Sequence, residues 1–235
     1  MKRWFAPLAM PLLVCSSLVV LHTEIHAATI KLTDYWVSKG PGDVWTYGYT
    51  QPSGIPDFIV AITTVPSGTY AGKYRMGDYR KPDGSIVWRI VSWDANNLTM
   101  FYDNQHGAYE PPVTMPLSYE LEKVLANPSN PTSGIWYFKK LPTLTVPAGT
   151  YSDILLKIDL DKNFGPNAGN ILFGLPSSIT YGVTHATWYA RGVGELQDMD
   201  FDATGAAGAT YQLKSTNATP PRKGLAWGTM FLLDN

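Results

Sequence analysis

The sequence predicts a mainly β fold: a long antiparallel up-and-down meander that forms a strongly curved sheet, half-barrel or barrel, with one short helix packed on it. Three observations predict this. Of the 235 residues only 16% are charged and 13% are aromatic, and aromatic residues favour strands. Alternating segments are separated by short Pro- and Gly-rich turns, which join antiparallel neighbours. So many strands must curl or close to protect their edges.

The first 27 residues are typical of a secretory signal peptide. Lys2 and Arg3 precede a largely apolar run over 8–21, and Ala27 is a small residue at the expected cleavage point. The run is shorter than the roughly 20 helical residues that span a bilayer. We therefore expect export to the periplasm or the cell exterior, with residues 28–235 forming a single β domain. Retention of the leader as an anchor is the alternative.

The predicted strands follow one another with short interruptions. From alternation and turn residues we place them at about 58–65, 69–80, 85–93, 98–102, 135–146, 150–160, 170–174, 179–191, 194–202, 209–215 and 225–233. Between the two groups, Pro111, Pro112 and Pro116 exclude a central strand.

The helix is predicted over 118–126. Ser118 suits an N-cap position, and an apolar stripe follows at helical spacing. Its members are Leu117, Leu121, Val124 and Leu125. A helix this short is marginal alone, so its stripe must pack on the sheet.

The segment 150–160 has the clearest strand pattern. One face is apolar, with Ile154, Leu156, Ile158 and Leu160. The other face carries Asp153, Lys157 and Asp159. We expect the apolar face to meet a core or a cavity and the charged face to meet water.

Motifs for catalysis or metal binding are few. Cleavage would remove Cys15, the single cysteine, and neither His106 nor His185 lies in a catalytic or zinc-binding motif. No catalytic residue, metal ion or cofactor is therefore predicted. The alternating acids of 198–202 resemble the start of a calcium loop, but the glycine and the terminal glutamate of that loop are missing. They are interpreted as a solvent-facing strand face, and weak Ca²⁺ binding near Asp198, Asp200 and Asp202 is left open.

The sequence is rich in aromatic residues, and these are its most informative candidates for a ligand site. Most tryptophans of a globular protein lie in its core, but one or two of so many could form a ligand site. Trp88 and Trp93 differ by an odd number of positions, so they point to opposite faces of one strand. The candidate ligand-binding residues are Trp36, Trp45, Tyr47, Trp88, Trp93, Trp136, Trp188 and Tyr189.

Three short motifs resemble those of uncharacterised exported bacterial proteins, many of which are lipoproteins. They are Asp34-Tyr35-Trp36 leading to Trp45-Thr46-Tyr47, then Val146-Pro147-Ala148-Gly149-Thr150-Tyr151, then Tyr189-Ala190-Arg191-Gly192-Val193-Gly194. The strand plan is similar, more distantly, to that of the bacterial lipoprotein-carrier half-barrels. These resemblances imply a curved sheet with an apolar hollow under a helix. The lipobox cysteine of many such lipoproteins is absent from this sequence.

Three functional hypotheses follow. The first is a non-catalytic exported protein that holds an apolar or lipid-like ligand or docks a cell-envelope partner. The second is a carbohydrate-binding module that uses exposed Trp and Tyr side chains. The third is a glycoside hydrolase with paired carboxylates. The net charge of −1 argues against a nucleic-acid partner, and no apolar run after the leader is long enough for a transmembrane segment.

Overall fold

The computed structural model describes residues 28–35, 40–128, 130 and 132–218. Fourteen strands in these segments confirm the mainly β fold. They are β1 (Thr29–Lys31), β2 (Val44–Gln51), β3 (Phe58–Thr64), β4 (Tyr74–Arg80), β5 (Ile86–Trp93), β6 (Asn97–Asp103), β7 (Gly107–Pro116), β8 (Ser118–Glu120), β9 (Leu125–Ala126), β10 (Gly134–Val146), β11 (Gly149–Asp161), β12 (Gly182–Ala190), β13 (Gly194–Phe201) and β14 (Ala207–Thr216). A 3₁₀ turn spans Leu32–Asp34, and the helix α1 spans Ala168–Leu172. The leader, Trp36 and the strand predicted at 225–233 lie outside the described residues.

Twelve of these strands form one antiparallel sheet. Its order is β7-β6-β5-β4-β3-β2-β14-β13-β12-β11-β10-β9, so two meanders meet where β2 pairs with β14. The sheet is not closed, because β7 and β9 remain at its edges. The prolines of 111–116 therefore lie on an edge strand, where a missing N–H interrupts no interior pairing. None of the helices in the described segments is long and apolar enough to cross a bilayer.

Strand β11 is buried on both faces along part of its length. Ile154, Leu156 and Ile158 belong to a core cluster with β2, β3 and β12–β14, and each is at most 2% exposed. Leu155 points the other way, into a second cluster with Phe138 of β10 and residues of β1 and β5–β8. The predicted apolar face of this strand is thus confirmed as core. The charged face differs from the expectation, since it faces an internal hollow as well as solvent.

The prediction of a helix over 118–126 is wrong. The segment is extended: β8 pairs with β1, with Ile30 opposite Tyr119. Leu117, Tyr119 and Leu121 are apolar at alternate positions, so the same sequence also fits the period of a strand. Tyr119 decides between the two, because its ring stacks on Phe138 at 5.1 Å, and a helix with the predicted stripe would turn this ring away from the core.

The helix instead forms where the sequence predicted a strand at 170–174. Asn167 caps α1 by accepting a hydrogen bond from the Gly169 N–H, and the side chain of Asn170 accepts one from the Asn167 N–H. The same two amides donate to the carbonyl groups of Val183 and Tyr181, each at 2.9 Å. A five-residue helix has little stability alone, so these bonds to the region of β12 hold it in place.

Gly205 is the point at which the turn before β14 touches α1. It has φ of +81°, and a Cβ there would lie 2.5 Å from the Ala168 nitrogen. We expect Gly205→Ala to lower the free energy of unfolding by about 2 kcal/mol more than Gly84→Ala, because overpacking adds to the shared cost of positive φ. Gly84 has φ of +84° with no atom within 4 Å of the added Cβ. Urea unfolding of both variants measures the difference, and equal losses would contradict the expectation.

The motifs that carried the family resemblance make structural contacts. Arg191 forms ion pairs with Asp34 at 3.4 Å and with Asp153 at 2.7 Å. The Trp45 indole N–H donates to the Val193 carbonyl at 2.7 Å. In the remaining motif, the Ala148 N–H donates to the Leu213 carbonyl at 3.0 Å, which fixes the β10–β11 turn against β14. These motifs therefore join distant parts of the chain.

Candidate functional site

The curved sheet bounds a hollow of about 710 Å³. Side chains of β4–β7 line one side, side chains of β11–β14 line the other, and Leu32 and Trp136 also contribute. This volume lies within the range of small-molecule binding pockets, roughly 300–1,000 Å³. The hollow is therefore the candidate site.

One side of the hollow carries an apolar patch beside polar residues such as Arg80, Arg89 and Asp103. Neighbouring strands alternate along their length, and their inward positions hold Met76, Val87, Val91, Leu98, Met100 and Met115. We call these six residues the apolar wall. Three of the seven methionines of the chain belong to it. Methionine is unbranched and polarisable, so this wall can adapt to ligands of irregular shape.

The opposite side carries charged and polar groups, and the strand register brings them together. His185 of β12 pairs with Asp159 of β11 on one side and with Asp200 of β13 on the other. Thr187 pairs in the same way with Asp198. Cross-strand partners have neighbouring Cβ atoms, so residues far apart in sequence meet here. We call Lys157, Asp159, His185, Thr187, Asp198 and Asp200 the polar wall.

His185 lies at the centre of the polar wall. Its Nδ1 is 3.1 Å from Asp159 Oδ2, and its Nε2 is 2.8 Å from Asp198 Oδ2 and 3.9 Å from Asp200 Oδ1. Thr187 donates its hydroxyl proton to Asp198 Oδ2 at 3.1 Å. Lys157 forms an ion pair with Asp159, and its Nζ lies 4.9 Å from the centre of the Trp136 ring.

These contacts shift the titration of the wall. Burial alone would lower the pKa of His185, but Asp198 and Asp159 outweigh it and hold that pKa well above its usual value. Burial would raise the pKa of Asp159, but Lys157 and His185 reverse the shift and keep it well below the ordinary range. At neutral pH the wall therefore holds an imidazolium between carboxylates.

Glu195 lies in the same hollow and is only 9% exposed. Burial, with a further contribution from Asp198, raises its pKa to about 8. Its Oε1 has no hydrogen-bond partner among the described residues. Two further buried atoms lack a hydrogen-bond partner among the described residues, Trp136 Nε1 and Arg89 Nε, and both residues line the hollow. Arg89 Nε is within ion-pair distance of Asp103, at 3.6 Å, but beyond hydrogen-bond distance. Buried polar atoms are normally paired, so this concentration distinguishes the hollow from the rest of the core.

A second polar group closes the hollow near the turn after β6. Asp103 is 3% exposed and accepts the N–H groups of Gln105 at 2.7 Å and His106 at 3.1 Å. Arg89 Nε lies 3.6 Å from its other oxygen. Burial works against ionisation of this carboxyl, but the two N–H groups and Arg89 lower its pKa overall. Asp103 therefore orders the turn that carries His106.

Two of the predicted ligand-binding residues line the hollow, Trp136 and Tyr189. Three others, Trp45, Tyr47 and Trp188, are buried in the first core cluster. Trp88 and Trp93 are half-buried. Trp88 stacks on Tyr102 at 5.1 Å, with the Arg75 guanidinium 5.0 Å from its ring centre, and Trp93 contacts Tyr74 at 4.3 Å.

Sequence reasoning missed the polar wall. It interpreted Asp198 as facing solvent, whereas this residue is 7% exposed beside His185. It also grouped Asp202 with the other two acids, but Asp202 accepts the N–H groups of Thr204 at 2.8 Å and Ala206 at 3.0 Å and stabilises its own turn. The sequence did place His185 and these acids on consecutive predicted strands, and this position could have indicated that they lie close together.

No protein-family model matches this chain, and no curated protein sequence matches it. Two solved structures are similar to it in fold. One is a proposed lipoprotein of Parabacteroides distasonis, with 13% identity, a TM-score of 0.37 and coverage of 76% of this chain and 96% of the other. The second is a proposed exported protein of Bacteroides fragilis, described as having a YmcC-like fold. It has 9% identity, a TM-score of 0.39 and coverage of 78% and 99%.

Proposed function

We propose that this chain is an exported binding protein that holds a small amphipathic molecule in the hollow. The apolar body of the molecule lies on the apolar wall, and its polar group meets polar residues that line the hollow, among them Arg89 and Glu195. A ligand site of this kind combines a mostly apolar lining with a few convergent polar groups. The export part of the proposal rests on the leader-like residues 1–27, which have the basic start and the short apolar run of a signal peptide.

One observation carries the proposal: in the part of the chain that the structure describes, three of the four buried side-chain atoms without a hydrogen-bond partner belong to residues that line the hollow. They are Arg89 Nε, Trp136 Nε1 and Glu195 Oε1; the fourth is the Tyr119 hydroxyl. A buried polar atom without a partner costs roughly 1–3 kcal/mol. A ligand that draws these side chains toward the hollow and supplies acceptors and a donor would recover that cost, whereas a purely apolar ligand would not.

A fluorescent fatty amide tests the proposal, because its head group carries both a donor and an acceptor. We expect 11-(dansylamino)undecanamide to bind the purified chain one to one, with a blue shift and increase of dansyl emission as the dye leaves water. Met76→Gln should weaken binding about ten-fold, because it places an amide against the apolar body of the ligand. The matched control is Met199→Gln, since Met199 is also half-buried but lies outside the hollow.

Two results would contradict the proposal. One is an unchanged emission at dye concentrations up to the solubility limit. The other is an equal loss of affinity in the Met76 and Met199 variants, which would place the dye elsewhere or show a general loss of folding. Circular dichroism of both variants separates these two causes.

The alternative functions receive less support. A sugar platform needs an exposed aromatic face, but the described tryptophans are buried or half-buried, and Trp88 already stacks on Tyr102. A glycoside hydrolase needs a pair of carboxyl groups, and Glu195 has the raised pKa of a general acid, but its neighbour Asp198 is engaged by His185 and Thr187. Both remain predictions of the sequence.

A further inference from the structure

We propose that the polar wall binds a divalent transition-metal ion such as Zn²⁺ through His185, Asp198 and Asp200. One ligand atom from each of the three side chains can be chosen so that all lie within 4.8 Å of one another. They come from two adjacent strands in regular pairing, so the backbone fixes their relative positions. The three ligands of this site differ from the residues on which the proposed ligand function rests, although Glu195 contributes an observation to both.

The groups behind these three side chains are arranged as in metal sites. A histidine ligand usually donates its other ring N–H to a carboxylate, which orients the ring and makes the coordinating nitrogen more basic. Asp159 occupies this position at His185 Nδ1, at 3.1 Å, and so directs Nε2 toward Asp198 and Asp200. Asp198 is held in turn by the Thr187 hydroxyl. The outer contacts therefore orient two of the three ligands.

Glu195 supplies an independent observation. Its side chain is more than nine-tenths buried, its Oε1 is without a partner among the described residues, and it faces the same hollow as Asp198. A buried oxygen without a donor is unfavourable. A divalent ion near His185 Nε2, or a water bound to that ion, would supply this oxygen with a partner.

The donor set favours a transition metal over calcium. One imidazole nitrogen with carboxylate oxygens suits Zn²⁺ and its neighbours, whereas Ca²⁺ takes six to eight oxygen ligands. Asp202 is also not available as a calcium ligand, because its carboxylate accepts hydrogen bonds from the N–H groups of its own turn. The hollow in front of the site leaves room for water or an external ligand to complete the coordination.

Zinc titration of the purified chain, without a polyhistidine tag, tests the proposal. We expect one Zn²⁺ per chain by isothermal titration calorimetry, and a rise in Tm of roughly 5–10 °C at a hundred-fold excess over Kd. Asp200→Asn should weaken binding at least ten-fold. Its side chain is 60% exposed, so we expect this variant to fold. Asp57→Asn removes the same charge from an exposed ion pair with Lys214 and should bind Zn²⁺ like the unaltered chain.

Three other results would overturn the assignment of a zinc site to His185, Asp198 and Asp200. Absence of a zinc-dependent Tm shift at millimolar Zn²⁺ would show that the imidazolium of His185 is the permanent charge of the wall. Equal affinities of the Asp200 and Asp57 variants would place the ion elsewhere. A Tm shift with Ca²⁺ as large as that with Zn²⁺ would exclude the transition-metal class. The titration uses no amphipathic ligand, so its failure leaves the proposed function unaffected.

Discussion

Replacement of Ile158 by alanine is expected to lower the free energy of unfolding by about 4 kcal/mol. Ile158 is fully buried at the middle of β11, between Tyr137 of β10 and Ala186 of β12. The substitution removes buried methyl and methylene groups and leaves a cavity between three paired strands, and such losses cost roughly 2–5 kcal/mol. Urea unfolding followed by tryptophan fluorescence measures the change.

Ile59→Ala is the matched control for this substitution. Ile59 also lies within a strand, but its side chain is 56% exposed, so we expect a loss below about 1 kcal/mol, mainly from strand propensity. Similar losses in the two variants would mean that the core around β11 is loosely packed and refills the space. That result would contradict the assignment of Ile158 to the main core cluster.

The parts of the fold that depend on local pattern were predictable. Alternation and turn residues placed β3, β5, β6, β10 and β11 to within a few residues, because each hairpin is specified by neighbouring sequence. The wrong predictions concern two segments. In one, the apolar residues fit both the helical and the strand period, and in the other, side-chain hydrogen bonds stabilise a helix where a strand was predicted. Tyr119 belongs to a segment that suits both helix and strand, and its contact with Phe138 selects the strand. Asn167 and Asn170 cap a short helix that propensity alone does not support.

The polar wall was less accessible from sequence because it depends on register. Asp159, His185 and Asp200 meet only when three strands are aligned, and this alignment includes register shifts at Asp159/Leu160 and at Trp188/Tyr189. A one-residue slip would move these side chains to the other face of the sheet. Aromatic content was a weaker guide: Trp136 and Tyr189 line the hollow, while Trp45 and Trp188 pack in the core.

Replacement of Glu195 by glutamine is expected to remove a large pH dependence of stability. Burial raises the pKa of Glu195 from 4.5 to about 8, so between these values the native state holds a proton that the unfolded state has released. Stability therefore falls as pH rises through this window, by about 5 kcal/mol in total at 1.36 kcal/mol per unit. Glutamine has the shape of the protonated carboxyl and does not ionise. The variant should match the unaltered chain at pH 5 and exceed its stability by about 3–4 kcal/mol at pH 9.

Urea unfolding at several pH values between 5 and 9 measures this difference directly. Groups remote from Glu195 titrate alike in both proteins, so their contributions largely cancel when the two curves are subtracted. Glu120→Gln serves as the control, because Glu120 is exposed in an ion pair with Lys123 and should give a nearly constant difference. Parallel curves for the Glu195 variant and the unaltered chain would show that Glu195 is ionised in the folded protein. In that case a nearby cation would have to balance it throughout this pH range, because an unpaired carboxylate at this depth is strongly unfavourable.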